Sequence, residues 1–465
     1  MGKKKIIYFA IGPIGSAAIS FVTLPLITWY FSIEDVGRFS LLQTLTGFAT
    51  LVFCLGFDQA FVRSFYASKH PRSLFISAYL PPLIGYACVV ALSFYFSNEL
   101  VVMLFGEDAA SNLWQVLIVS CGLSFSVRFL SLILRVSERG LAYSISQMSP
   151  KVLLLLLVFV SVNVVGGDFM TLALSYMISL LAVFCVLIFN NRKFLFFTSG
   201  NYDITLTKQM FSFGAPLIIS SIAFWGLTVS DKILISKLSS YSELGLYSVS
   251  VSFAGAAIVL QSVFSTIWSP LIYRWIDKDN MADNEVATHI NKMADVMLLI
   301  VVVGVSLAGS LSFILDYILP EQYSQAKYIM LSCMCYPLFY TLSEVTVVGL
   351  HVKKCTIISM LITLMSFLVN LSGNLILIPT HGAKGAAVST AVSFWLFLVL
   401  RTEFSSKYYS ELKRMRLYLI TLMVVGLTTA NLFCGAEQVV WFSVTWLAIG
   451  TAYLSMNYKK LSYLK

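Results

Sequence analysis

An all-α polytopic membrane protein is the fold class this sequence predicts, and three observations predict it. Fourteen apolar stretches of about 18–25 residues fill nearly all of the 465-residue chain, and a helix needs roughly 20 residues to cross ~30 Å of hydrocarbon. The chain is 58% hydrophobic and 11% charged, with a mean hydropathy of +0.85; soluble domains carry about 25% charge. Runs such as 152–160 (VLLLLLVFV) do not alternate. That pattern excludes the ~10-residue two-faced strands of a membrane barrel and suits helices, which satisfy their own backbone polar groups in lipid.

The spans follow one another between short charged connections. Span 1 (6–30) follows Lys3, Lys4 and Lys5; it is too long for a secretion signal and no small-x-small site follows it, so it reads as a first transmembrane helix. Span 2 (39–57) starts after Arg38. Arg63, Lys69 and Arg72 precede span 3 (74–96), and span 4 (113–136) leads through Arg135 and Arg139 to span 5 (144–165). Span 6 (169–190) ends at Arg192 and Lys193, and Lys208 precedes span 7 (211–230). Asp231 and Lys232 are expected to cap span 7 as an interfacial pair before span 8 (245–268). Arg274, Lys278 and Lys292 precede span 9 (293–315), where Asp295 is expected as a helix-start acid. Span 10 (326–350) ends at Lys353 and Lys354, and spans 11 (355–378) and 12 (383–401) are joined by a tight turn. Spans 13 (417–434) and 14 (438–456) close the chain.

Arg38, Lys232, Lys237, Lys327 and Lys384 fall on one side of the spans, Arg128 and Lys151 fall inside them, and the remaining 24 of 31 cations fall on the other side. Basic loops stay in the cytoplasm, so both termini are expected there. The rule also explains the net charge of +9 without a nucleic-acid partner. No GxxxxGK[ST] occurs, and no CxxC or metal-type Cys/His spacing links the eight cysteines. ATP-driven chemistry within the chain and a bound metal or other cofactor are not expected.

Asp35, Gly37, Phe39 and Ser40 recur 208 positions later as Glu243, Gly245, Tyr247 and Ser248. Six spans separate the copies, and an even number keeps their orientation, as in parallel-repeat transporters. The expected organisation is a six-helix lobe over 1–200, a pseudo-symmetric six-helix lobe over 201–405, and two additional helices with a tail over 406–465.

An ionisable residue inside the membrane costs roughly 2.5–3.5 kcal/mol on insertion scales and usually faces water or a partner. Arg128 and Lys151 lie on consecutive antiparallel spans at one depth, about 10–12 Å from the basic side. Two cations at one level make an anion seat; the competing reading is snorkelling to the headgroups. Glu344, on span 10, is a candidate coupling group or counter-ion, with a helix-end pair to Lys353 or Lys354 as its alternative. Asp58 flanks the inner end of span 2 and is a second candidate of the same kind.

Residues 33–40, Gly56–Arg63, Ser230-Asp231-Lys232, Glu243–Ser248 and Asn374–Ala387 (NLILIPTHGAKGAA) carry a further signal in their order and spacing. Over roughly 6–400 the chain resembles the O-antigen flippases, the polysaccharide exporters of the multidrug/oligosaccharidyl-lipid/polysaccharide exporter superfamily. The resemblance implies a non-enzymatic flippase. It would move an undecaprenyl-pyrophosphate-linked oligosaccharide across the bacterial inner membrane by alternating access, coupled to protons or sodium, alongside a glycan polymerase and chain-length partners. On that reading Arg128 and Lys151 seat the pyrophosphate within a wet vestibule between the lobes. Arg63, from the family's Ala-x-x-Arg pattern (Ala60 to Arg63), captures it at the cytoplasmic mouth. The alternatives are export of a small drug-like molecule or metabolite, and a membrane polymerase or acyltransferase. A drug exporter would show acids where Arg128 and Lys151 stand. A polymerase needs a large outer loop, and an acyltransferase a buried histidine; neither is present in the sequence.

Overall fold

The computed structural model describes residues 3–107, 112–164, 166–196, 199–277, 283–353, 355–409, 411–434 and 438–460. Among them there are helices and no strands. The chain divides into two compact units, 1–225 and 226–465.

The first unit contains α1 (Lys3–Tyr30), α2 (Ile33–Cys54), α3 (Phe57–Ser64), α4 (Pro71–Ser93), α5 (Ser97–Phe105), α6 (Leu113–Val136), α7 (Gly140–Val164), α8 (Phe169–Asn190) and α9 (Arg192–Phe196). Helix α10 (Ile204–Leu238) continues into the second unit. There follow α11 (Tyr241–Asp277), α12 (Asp283–Ser310), α13 (Leu315–Ile318), α14 (Ala326–Thr346), α15 (Val348–Val352), α16 (Thr356–Tyr408), α17 (Met415–Cys434) and α18 (Val439–Asn457). The expected spans fall on helical segments but not one to a helix: span 2 crosses the Leu55–Gly56 turn into α3, span 9 runs past the end of α12, span 10 covers α14 and α15, and spans 11 and 12 share α16. Ten helices among the described residues are long and apolar enough to cross a membrane. The chain is a multi-pass integral membrane protein.

Lipid tails are as apolar as leucine, so membrane helices are held by close backbone approach and polar contacts more than by oil leaving water. The structure uses both. Between α1 and α7, Gly12 abuts Ser144 and Gly15 abuts Met148. Between α12 and α18, Gly309 lies against Trp446 and Gly450 against Ser306. That seam attaches α18, the last helix, to α12. Asp295 reinforces it, reaching Lys460 at 3.1 Å and Arg416 at 4.0 Å. Asp295 is therefore not a helix-start acid: α12 begins at Asp283, because the polar segment before the apolar run is already helical.

Helix α16 is two arms that meet at Gly382, whose φ of +54° is open chiefly to glycine. The arms pack back on each other, with Asn370 Nδ2 donating to Thr390 Oγ1 (3.2 Å) and Ser393 Oγ (3.3 Å). Glu243 Oε2 accepts from the Ala383 amide at 2.8 Å. The acid of the repeated turn motif thus caps the second arm at its positive end.

One expected boundary is wrong in an informative way. The charges of Asp231 and Lys232 predict that span 7 ends at Ser230. The segment DKILISKL has no helix breaker, so α10 runs on to Leu238 and Asp231 sits inside it, 1% exposed. Asp231 is not half of an interfacial pair. Its Oδ2 accepts from Tyr247 Oη and Thr390 Oγ1, both at 2.5 Å, and its Oδ1 from Asn374 Nδ2 at 2.6 Å. This buried node ties α10, α11 and both arms of α16 together. A carboxylate that accepts several hydrogen bonds is kept buried without the penalty of an unpaired charge.

Candidate functional site

At the end of α2, Leu55 and Gly56 both take positive φ (47° and 70°), and the chain turns sharply into α3. Asp58 lies in the first turn of α3, where a carboxylate meets the positive end of the helix dipole. Arg128 lies on α6, eight residues and so about 12 Å along the helix from its C-terminal end. The guanidinium donates Nε (3.3 Å) and Nη2 (3.0 Å) to the same oxygen, Asp58 Oδ2.

Aromatic packing fixes this pair. Phe57 and Phe61 on α3, and Phe125 and Phe129 on α6, are buried in one cluster. Phe75, Tyr79 and Phe125 form a stacked column with centroids 5.6 and 5.5 Å apart. Two aromatics on α6 thus bracket Arg128 along the helix and hold its Cα in place. The side chain is nonetheless 41% exposed, against 11% for Asp58. Both groups line a cavity of about 240 Å³ with Thr50, Cys54, Gln59 and Ser221. Asp58 holds one edge of the guanidinium, and Nη1 remains as a donor for an anion. A planar guanidinium so presented matches phosphate oxygens.

The other expected site residues lie apart from this pair. Lys151 Nζ on α7 donates to the Ser16 carbonyl of α1 at 3.2 Å. That contact uses one of the three ammonium protons. Arg63, at the far end of α3 from Asp58, stacks 4.1 Å over the Phe213 ring and lines a separate cavity of about 1040 Å³. Asp58 and Arg128 are brought together; Lys151 and Arg63 each keep their own surroundings.

Glu344, in the second unit, has a partner that the sequence reading placed at a span end. Its Oε1 accepts from Arg401 Nη1 at 2.7 Å, with both side chains 10% exposed. Arg401 lies 4.3 Å over the Phe397 ring and also donates to Ser343 Oγ at 3.3 Å. The expected alternative, Lys353 or Lys354, is not what the structure gives: Arg401 holds Glu344, and Lys354 lies outside the described residues. The positive-inside pattern predicts Arg401 on the basic side at the end of span 12, but the second arm of α16 runs on to Tyr408 and Arg401 is buried within it. The same region holds His351, beyond the expected span. Burial first, and then the Arg401 charge, lower its pKa below the ordinary 6.5. A lowered folded-state pKa favours neutral imidazole, so its contribution to stability is whole above the unfolded value and is lost as the pH falls through the folded one. Acidifying from about pH 7 to 5 is expected to lower the melting temperature more in the wild type than in His351→Gln, read by thermal unfolding in detergent.

The geometry is that of a membrane protein with a cation displayed in a cavity within one unit and a closed ion pair in the other. A family model for polysaccharide biosynthesis proteins matches residues 3–276. The chain belongs to this family. The chain is also 22% identical over 406 residues to the probable low-salt glycan biosynthesis flippase Agl15 of Haloferax volcanii, covering 86% of this chain and 82% of that protein. Among solved structures it is similar to the lipid II flippase MurJ in an inward closed conformation. The TM-score is 0.73 at 16% identity, over 98% of this chain and 99% of that one. An inward-facing multidrug resistance MATE family transporter of the MOP superfamily superposes with a TM-score of 0.58 at 14% identity, over 89% and 99%. At such identities the likeness is one of fold, and the family's polysaccharide-exporter fold is the one the sequence resembled.

Proposed function

We propose that the protein is a flippase for a polyisoprenyl-diphosphate-linked oligosaccharide, of the undecaprenyl-pyrophosphate O-antigen type. It would carry its substrate from the cytoplasmic to the outer leaflet of a bacterial inner membrane, with both termini in the cytoplasm. The observation that carries the reading is Arg128: a guanidinium carried on α6 two turns from its basic end, 41% exposed and facing a cavity, with one edge held by Asp58. Family membership and the likeness to Agl15, a probable glycan flippase, support it. The lining holds one base and one acid, and the base is the more exposed of the two, so the group it presents to a ligand is a guanidinium, which suits a diphosphate.

In this mechanism no covalent bond is made or broken. Arg63 receives the diphosphate at the cytoplasmic mouth and Arg128 holds it within the membrane, while Lys151, apart from this pair against the Ser16 carbonyl of α1, is a separate cation along the route. The repeated halves alternate in access. Asp58 is both counter-ion and coupling group: a proton or sodium ion arriving there weakens its hold on Arg128, which is then freed for phosphate. Glu344 is the fixed counter-ion of Arg401 and keeps the second unit closed around a neutral pair. The test is a strain in which the gene can be depleted. The lipid-linked glycan is expected to accumulate in the cytoplasmic leaflet as surface glycan falls. An unchanged leaflet distribution would remove the proposal.

A further inference from the structure

Helix α3 has a cavity at each end. The smaller one, about 240 Å³, holds Asp58 and Arg128. The larger, about 1040 Å³, lies at the Arg63 end, on the basic side. Helix α10 lines both, with Leu206, Gln209 and Phe213 beside the larger cavity and Leu217, Ile218 and Ser221 beside the smaller. The two cavities are therefore stacked along the same pair of helices.

A glycine seam lies between them. A Cβ added at Gly56 would fall 2.7 Å from Gly214 Cα, and one added at Gly214 would fall 3.0 Å from the Gly56 carbonyl. Only backbone fills this crossing. Next to it, the Arg63 guanidinium lies on the Phe213 ring, one residue before Gly214.

The larger cavity is built differently from the smaller. It is lined by the amides of Asn201 and Gln209, the phenol of Tyr202 and the hydroxyl of Ser64, with Arg63 and Lys69 as cations. Its acid, Asp203, is already engaged: Oδ1 caps α10 by accepting from the amides of Thr205 (2.7 Å) and Leu206 (3.3 Å). Side-chain amides both donate and accept, as vicinal hydroxyls require, and aromatic faces take the C–H side of a sugar ring. The volume is at the upper end of the ~300–1,000 Å³ range of small-molecule sites.

We propose that this cavity is a saccharide subsite. It receives the first sugars of the lipid-linked glycan while the diphosphate rests on Arg128. The order fits a lipid in the cytoplasmic leaflet: chain toward the midplane, diphosphate next, sugars toward the cytoplasm. The Gly56–Gly214 seam is where the diphosphate–sugar linkage crosses, and it must part for the linkage to pass. This inference rests on the flippase reading.

The test uses the purified full chain in detergent and short-chain probes. These are geranyl diphosphate and its conjugates with glucose, galactose, N-acetylglucosamine or N-acetylgalactosamine. At least one conjugate is expected to bind ten-fold or more tighter than geranyl diphosphate. Tyr202→Ala combined with Gln209→Leu, both at exposed positions, is expected to erase that gain and leave geranyl diphosphate affinity unchanged. No gain for any conjugate, or a gain that survives the double substitution, overturns the subsite. Failure of the flippase reading looks different. Geranyl diphosphate itself would then fail to bind, or would bind Arg128→Ala as well as wild type, and the subsite would fall with it.

Discussion

Arg128→Ala is expected to lower affinity for geranyl diphosphate by about 100-fold and to abolish surface glycan display, at wild-type levels of protein in the membrane. The magnitude follows from the chemistry: losing one partner of a charged contact costs about 2–5 kcal/mol, the lower part of that range applies to a side chain 41% exposed, and each 1.4 kcal/mol is a factor of ten. Arg128→Lys should recover only part of this, because an ammonium cannot both hold Asp58 by one edge and offer a second edge to phosphate. Asp58→Asn separates the two roles. It keeps the cation, so binding should persist; it removes the ionisable partner, so transport should lose its dependence on the coupling ion. Loss of binding in Asp58→Asn would mean that the acid positions the guanidinium rather than coupling it. Arg128→Ala also leaves Asp58, 11% exposed, without its partner, so a loss of melting temperature is expected beside the loss of binding, and the variants are compared at equal amounts of folded protein.

Glu344→Ala should behave in the opposite way, with the larger effect on stability. Glu344 and Arg401 are each 10% exposed. Breaking a buried pair by removing one member leaves a charge stranded and costs about 3–5 kcal/mol. Arg401 would remain against the rings of Phe397 and Tyr340, with its Nε lacking an acceptor among the described residues. A fall in melting temperature in detergent, with reduced yield from membranes, is the expected result. Replacing both residues, Glu344→Gln with Arg401→Met, should recover much of the loss, since well-packed neutral side chains often replace a buried pair without penalty. If the double variant is no more stable than Glu344→Ala, the pair does more than neutralise itself.

The fold was legible because a bilayer imposes a length and an apolarity that few sequences can disguise. The expected spans lie on helical segments, although spans 2, 9 and 10 run across helix ends, and the Gly382 reversal sits where Pro379 to Gly382 interrupts the apolar run. Helix ends were less legible. A hydropathy reading stops at charge, whereas a helix stops at a breaker, so α10 passed through Asp231 and Lys232 and α12 began well before Asp295. The same cause hid Arg401 on a helix that outlasts its apolar stretch. In the site, the depth of Arg128 could be counted along α6, but its partner could not. Asp58 is 70 residues away, and only the tertiary packing of Phe57, Phe61, Phe125 and Phe129 brings the two together. Pairing across such separations leaves no local pattern. The equal depth of Arg128 and Lys151 suggested one shared seat, whereas their hydrogen bonds, to Asp58 and to the Ser16 carbonyl, assign each its own neighbourhood.

The most direct test reconstitutes the purified chain in liposomes carrying a diphosphate-linked glycan lipid and follows the arrival of sugar at the outer surface with an impermeant lectin. Wild-type vesicles should expose the glycan in a time-dependent way, and vesicles with an equal amount of Arg128→Ala should not. Equal rates from the two would contradict the claim that this guanidinium carries the diphosphate through the membrane.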